Sequence, residues 1–255
     1  MRVISFCADG IKTAAENGFY DWVVDQDADF ICIQDLRAQE YELQADLFHP
    51  QGYFGYFFDS PTPATNGVAI YVKEMPKAIM TGLGFGENDM EARYIQADYD
   101  HISIGCLLAP QAANGDTDAL EHKAKFYEMY HNHLNKIRNK RREYIICGSW
   151  SIAHRDQDVQ SLNGATGKYG FLDEERQWLD ILYRDLGYSD AFRRINSDHD
   201  EFTWWPDGNR AANGWRTDFQ IISGGVRNRV DYGAIYKTKA FSNHAPLIMD
   251  YELEI

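Results

Sequence analysis

Short apolar runs recur along the whole chain at Arg2 to Phe6, Phe30 to Ile33, Gly67 to Val72, Tyr94 to Tyr99, Ile102 to Leu108, Tyr144 to Cys147, Thr217 to Ile222, Val230 to Tyr236 and Leu247 to Tyr251. Their length and β-branched content predict strands. Helical patterns lie between them. Gly18 to Gln26 is short and aromatic, and Asp118 to Arg142 carries one apolar stripe of Leu120, Ala124, Tyr127, Leu134 and Ile137. Asp173 to Leu186 opens with three acids, which complement the positive end of a helix dipole. Residues 112–118 and 161–169 are rich in Gly, Asn and Thr and read as surface loops. The pattern is mixed α/β. No repeat, low-complexity tract or Pro/Ser-rich linker divides it, so one domain over residues 1–255 is expected.

Composition narrows the class. With 255 residues, 44% of them hydrophobic, the chain can bury a sizeable core. No apolar run approaches the roughly 20 residues of a membrane span, and the N-terminus lacks the features of a signal peptide, so a cytoplasmic protein with no membrane partner is expected. Cys7, Cys32, Cys106 and Cys147 sit in or beside apolar runs with no CxxC pair, which points to reduced core thiols. A net charge of −14 argues against binding nucleic acid alone through a general positive field, so RNA binding by the isolated chain should be weak.

Several strands end in small polar clusters: Cys7-Ala8-Asp9-Gly10, Gln34-Asp35, Gly148-Ser149-Trp150-Ser151, Asp218 and Ser242-Asn243-His244. By themselves these mark a pocket rim on an α/β scaffold. Their order and spacing resemble the exonuclease III branch of the endonuclease/exonuclease/phosphatase superfamily over nearly the whole chain. The matching segments are Ser5 to Gly10, Ile33 to Asp35, Leu108 to Pro110, Gly148 to His154, Trp215 to Asp218 and Ser242 to Pro246. The resemblance implies a four-layer α/β sandwich, two mixed sheets face to face with helices outside and the site at one edge.

In active members of that family, carboxylates hold Mg²⁺ at a phosphodiester, an Asp activates water, and Asn, Tyr and His stabilise charge. At the matching positions this chain has Cys7 for an Asn, Asp35 for the metal-binding Glu and Leu108 for the Tyr. Ser149 and Ser151 stand for the base Asp and its Asn partner, and Asn243 for a carboxylate. Only Asp9, Asp218 and His244 keep useful chemistry. Asp35 is one methylene short as a metal anchor, and a serine hydroxyl is no general base near neutral pH. The expectation is therefore no catalysis, no metal and no cofactor.

Phrases at 107–110, 141–149, 203–207 and 241–248 are similar to a catalytically degenerate branch, the catabolite repression control proteins. That resemblance implies post-transcriptional repression together with the RNA chaperone Hfq on A-rich mRNA. Two other readings stay open: a residual phosphodiesterase using Asp9, Asp35 and His244, and a protein-only adaptor.

The densest basic run is Lys136, Arg138, Lys140, Arg141 and Arg142, either a helix C-terminus offsetting its dipole or a phosphate or partner contact. Arg227 and Arg229 could add a second patch. Asp218 with His244 reads as a retained structural pair, and Trp204 with Trp205 as packing at the core or rim. Cys7, Asp35 and His244 are too dispersed to argue for zinc. Gly82 to Gly86 mimics a phosphate loop, but neither Lys-Ser/Thr nor a helix follows it.

Overall fold

The nine apolar runs all become strands in the computed structural model, which describes residues 1–255 apart from the side chains of 87 and 88. They are β1 (Arg2–Cys7), β2 (Phe30–Gln34), β4 (Val68–Val72), β6 (Tyr94–Asp98), β7 (Ile102–Leu108), β8 (Glu143–Ser149), β10 (Asp218–Ile222), β11 (Val230–Ile235) and β12 (Leu247–Tyr251). The pattern did not mark β3 (Phe54–Phe58), β5 (Ala78–Thr81) and β9 (Ser189–Asp190). All three lie at sheet edges, where a strand is half solvated and its apolar signature weak.

One sheet runs in the order β11-β12-β1-β2-β4-β3 and the other β5-β6-β7-β8-β10-β9. Each is mixed: β1 and β2 pair in parallel, as do β7 and β8, and the other neighbours are antiparallel. The faces pack on a shared core in which Phe30, Cys32 and Ile70 of one sheet meet Ile104, Cys106 and Cys147 of the other. Cys32 and Cys106 are fully buried, and burial pushes both thiols up, so they behave as packing groups. All four cysteines are free and buried.

Helices cover both outer faces. The first sheet carries α1 (Ile11–Glu16) and α2 (Phe19–Val24), where the sequence predicts a single helix from Gly18 to Gln26. Only Ile11, Ala14 and Ala15 of α1 are buried, too few positions to declare a helix by periodicity. The second sheet carries α3 (Thr117–Ile137), opened by the Asp116 carboxylate accepting from Ala119 N at 3.0 Å. It buries Phe126, Tyr127, Tyr130, Leu134 and Ile137, with Lys123 among them, while Leu120 is half-exposed. α3 stops at Ile137 rather than Arg142, because residues 138–142 must turn the chain into β8 beside β7. Residues 161–169 contain a four-residue helix, α4 (Leu162–Ala165), capped by Ser161. α5 (Asp173–Asp180) widens into a π turn over Ile181–Asp185, and α6 (Ala191–Ile195) follows β9. The four layers of the expected sandwich are all present.

Candidate functional site

The parallel pair β1 and β2 ends in register at Cys7 and Gln34, and the two following turns are tied by Gly10 N to Asp35 O at 3.0 Å and Ile11 N to Leu36 O at 2.9 Å. Asp9, Asp35 and Arg37 all take left-handed backbone angles, with φ of 49°, 56° and 48°. Such angles are uncommon outside glycine and cluster where a structure holds side chains for a purpose. Here they bring three charges together. Arg37 Nη2 lies 2.5 Å from Asp9 Oδ1 and 2.8 Å from Asp35 Oδ2. Burial raises the Asp35 carboxyl above the ordinary carboxylate value while Arg37 opposes it, and burial of the guanidinium is outweighed by Asp35 and Asp9, which keep it charged.

Across the cleft, Leu108, Ser149 and Asp218 stand side by side at the ends of β7, β8 and β10. Gly148 precedes Ser149 because a Cβ there would run into the Leu107 carbonyl of β7. His244 Nδ1 meets Asp218 Oδ2 at 2.9 Å, and Trp204 stacks on the imidazole with ring centroids 6.0 Å apart. Burial favours the neutral ring, but Asp218 overrides it and holds the His244 pKa well above the ordinary imidazole value. Cys7 approaches His244 from the first sheet, and burial pushes its thiol up. Asp218 Oδ1 and Ser149 Oγ are buried without a partner. The Ser151 carbonyl is held by Lys123 Nζ at 2.7 Å, itself paired with buried Glu175 at 2.6 Å.

A hard divalent ion does not fit these donors. Mg²⁺ needs carboxylate oxygens in near-octahedral array, and one oxygen each of Asp9 and Asp35 is engaged by a guanidinium of fixed charge that already neutralises the pair. The softer set is not the one weighed from the sequence: the structure gathers Cys7, Asp218 and His244, their ligand atoms within 4.8 Å of one another, while Asp35 turns to Arg37. The cavity lined by Ser149, Ser151, Tyr169, Trp204, Trp215 and His244 holds about 70 Å³, and a more open one beside Asp35, Arg37 and Leu108 holds about 320 Å³.

The model for the endonuclease/exonuclease/phosphatase family matches residues 12–235. The chain belongs to this family. It is 28% identical to exodeoxyribonuclease III of Haemophilus influenzae over 99% of this chain and all of that one, and 25% identical to an exodeoxyribonuclease of Bacillus subtilis over 97% and 98%. Its fold is similar to an AP endonuclease from Archaeoglobus fulgidus, with a TM-score of 0.89 at 22% identity, covering 99% of this chain and 100% of the other. A 3′-5′ exonuclease from Neisseria meningitidis gives the same TM-score at 19% identity and the same coverage.

On this family scaffold Cys7, Asp9, Asp35, Leu108, Ser149, Ser151, Asp218, Asn243 and His244 come from strand ends and loops on one rim. Arg37 was missed by sequence reading, although a basic residue two positions after Asp35 was a readable signal. Trp205 is 2% exposed and packs in the core, with Arg210 stacked 4.8 Å from its ring. The turn at residues 82–86 aims the amides of Leu83 and Phe85 at the Asp89 carboxylate, at 2.7 and 2.9 Å, which uses the donors a phosphate would need.

The basic run lies elsewhere. β8 carries the chain from Glu143, next to Arg142, to Ser149 at the rim, a separation of about 20 Å. The turn holding Arg227 and Arg229 docks beside it, Gly225 N donating to Glu143 at 3.1 Å, so both basic segments share the end opposite the cleft. Arg142 is paired with Asp98 at 3.0 Å, Arg138 donates to the Asp185 carbonyl at 2.6 Å and Arg227 donates to the Gly187 carbonyl. Lys136, Lys140, Arg141 and Arg229 are exposed and make no ion pair among the described residues.

Proposed function

We propose that the chain is a non-catalytic member of its family that acts as a post-transcriptional repressor, joining the RNA chaperone Hfq on A-rich mRNA. The carrying observation is Arg37, whose guanidinium bridges Asp9 and Asp35 where a metal-dependent nuclease would hold its ion. Ser149 adds to this, since its hydroxyl cannot serve as general base, a loss of about 10² to 10⁴ in rate. The regulatory half rests on the sequence phrases shared with catabolite repression control proteins and on the four outward cations at the far end of β8. With a net charge of −14 the chain binds RNA weakly by itself, and a strand already presented by a chaperone offsets that long-range repulsion.

The second reading is residual metal-dependent phosphodiester hydrolysis. The relatives' names as nucleases and the intact His244–Asp218 contact favour it. One set of measurements separates the two. Cleavage of an abasic-site duplex is followed with Mg²⁺ and Mn²⁺, and ternary assembly with Hfq and A-rich RNA is followed by gel shift. The repressor reading expects cleavage at the buffer rate, and ternary assembly that is lost in Lys136→Glu/Lys140→Glu/Arg141→Glu but kept in Asp9→Ala/Asp35→Ala. Metal-dependent cleavage abolished by His244→Ala would overturn it in favour of the enzyme. Assembly indifferent to the three cations would remove them from the interface.

A further inference from the structure

A groove of about 500 Å³ runs along the edge strand β9, between the π turn that ends α5 and helix α6. Its lining contrasts with the acidic chain around it. Arg155, Arg193, Arg194, Arg216 and Arg227 face it, with Tyr183. Three carboxylates answer part of this charge: Asp158 takes Arg216 and Arg193, each at 2.8 Å, Asp190 takes Arg216 at 2.7 Å, and Asp180 takes Arg155 at 3.2 Å. Arg194 and Arg227 have no carboxylate partner among the described residues, so the groove keeps a positive excess.

The hydrogen-bond ledger points the same way. Arg216 is 1% exposed and its Nη1 has no acceptor; Arg193 Nε, Arg227 Nε and Tyr183 Oη are likewise buried and unpartnered. Of the ten such atoms among the described residues, these four belong to this one groove. Buried donors almost always have partners, so their concentration marks the place of an absent acceptor. The donors come from separate elements: the approach to β10, α6, the turn after β10 and the π turn. A planar carboxylate offers two oxygens in one plane, whereas a phosphoryl group offers three or more in a tetrahedral array that arginine forks match.

We propose that this groove binds the phosphoryl group of a small phosphorylated ligand, with Arg155 and Arg194 at its exposed entrance and Arg216 and Tyr183 at its enclosed end. The site is separate from the cleft and shares only Arg227 with the basic end of β8. It holds whether or not the chain acts on RNA.

The test is calorimetric titration of the full chain at fixed ionic strength with inorganic phosphate, pyrophosphate, ATP, adenosine and a short A-rich RNA. Saturable binding of at least one phosphate compound is expected, with adenosine silent. Comparing inorganic phosphate and pyrophosphate with ATP tells whether the anion is taken free or on a nucleotide. Arg194→Gln, an exposed and unpaired position, should weaken binding about tenfold, as loss of a charged hydrogen bond does. Arg194→Gln/Arg227→Gln should weaken it further, and Lys136→Glu, outside the groove lining, should leave it unchanged. Circular dichroism checks folding, and if the double variant is perturbed, Arg194→Gln alone decides. Binding equal in wild type and Arg194→Gln, absence of binding by all three phosphate compounds, or binding of the RNA alone would each overturn the proposal.

Discussion

Two arginine–aspartate clusters in this molecule are built from the same groups and do different things. Arg216 sits between Asp158 and Asp190, all three at most 9% exposed, and Arg193 joins Asp158 from the side. Arg37 sits between Asp9 and Asp35, but its side chain is 44% exposed and that of Asp9 27%. In the first cluster every charge has left water, so each depends on the others and removal of one strands the rest. In the second, solvent reaches Arg37 and Asp9 and screens that pair, while Asp35, 8% exposed, keeps the more buried contact. What the rim cluster does is occupy carboxylates, and what the buried one does is join the approach to β10 to α6 and the loop after β8.

The largest effect that sharpens this contrast is Arg216→Met, which should cost about 3–5 kcal/mol in chemical denaturation, the usual result of leaving buried carboxylates uncompensated. A loss below about 1 kcal/mol would place the cluster with ordinary surface pairs. Next comes acid. Arg216 and Arg193 overcome burial and hold the Asp158 carboxyl down at about 2, against an ordinary 3.8. Because the folded value is depressed, its stabilisation is present above pH 3.8 and is lost as pH falls toward 2, amounting to about 2 kcal/mol. Denaturation midpoints across that window check it. His244 works in the opposite sense, since its raised pKa gives stability that is complete below the ordinary imidazole range and is lost as pH rises through the folded value. An NMR titration in which the His244 ring follows an ordinary histidine would break this assignment.

Why one cluster was invisible in the sequence and the other half-visible follows from distance along the chain. Asp9, Asp35, Asp218 and His244 stood at the ends of apolar runs, and strand ends on a shared rim are readable once the strands are. The central strands were readable because both of their faces are buried, as the unbroken burial of Val68–Val72 and Ile102–Leu108 shows. Edge strands such as β3 and β5 show only intermediate burial and left little trace. Asp158, Asp190 and Arg216 come from the loop after β8, the edge strand β9 and the approach to β10, whose meeting depends on the packed fold, and Lys123 lies on α3 as a polar interruption of an apolar stripe. Its partner Glu175, on another helix, explains it only in three dimensions: a buried ammonium, its pKa lowered by burial, is tolerable because the carboxylate is 2.6 Å away. The basic run was legible as charge, but that Arg138 and Arg142 are tied down while Lys140 and Arg141 face outward was not.

A smaller effect is expected at the rim. Arg37→Met should cost about 1–2 kcal/mol, less than Arg216→Met, because Arg37 and Asp9 are partly solvated and only Asp35 is left buried without its partner. It should also raise the Asp35 carboxyl further, since Arg37 is what opposes burial there, and free two carboxylates for weak Mn²⁺ binding. NMR titration of Asp35 and paramagnetic broadening by Mn²⁺ read both. If Arg37→Met unfolds the protein as Arg216→Met does, the distinction between the clusters fails.

The smallest effect is expected where a single change looks most constructive. Ser149→Asp puts a carboxylate at the end of β8, in register with Asp218 and next to the cavity that His244 lines. A base placed there still lacks an ion to orient the water and carry the phosphoryl charge, because Arg37 continues to hold Asp9 and Asp35. It lacks a hydrogen-bond donor at Leu108 and a second carboxylate at Asn243 as well. Groups that act as a unit in catalysis do not contribute singly, so restoring one of several returns almost nothing. Ser149→Asp should therefore cleave an abasic-site duplex no faster than the wild-type chain in Mg²⁺ or Mn²⁺, with circular dichroism showing it folded. Adding Arg37→Met is the step that should first produce measurable metal affinity, still with little turnover. Strong cleavage by Ser149→Asp alone would mean that the rim cluster does not occupy the carboxylates in solution, and the contrast between the two arginines would have to be redrawn.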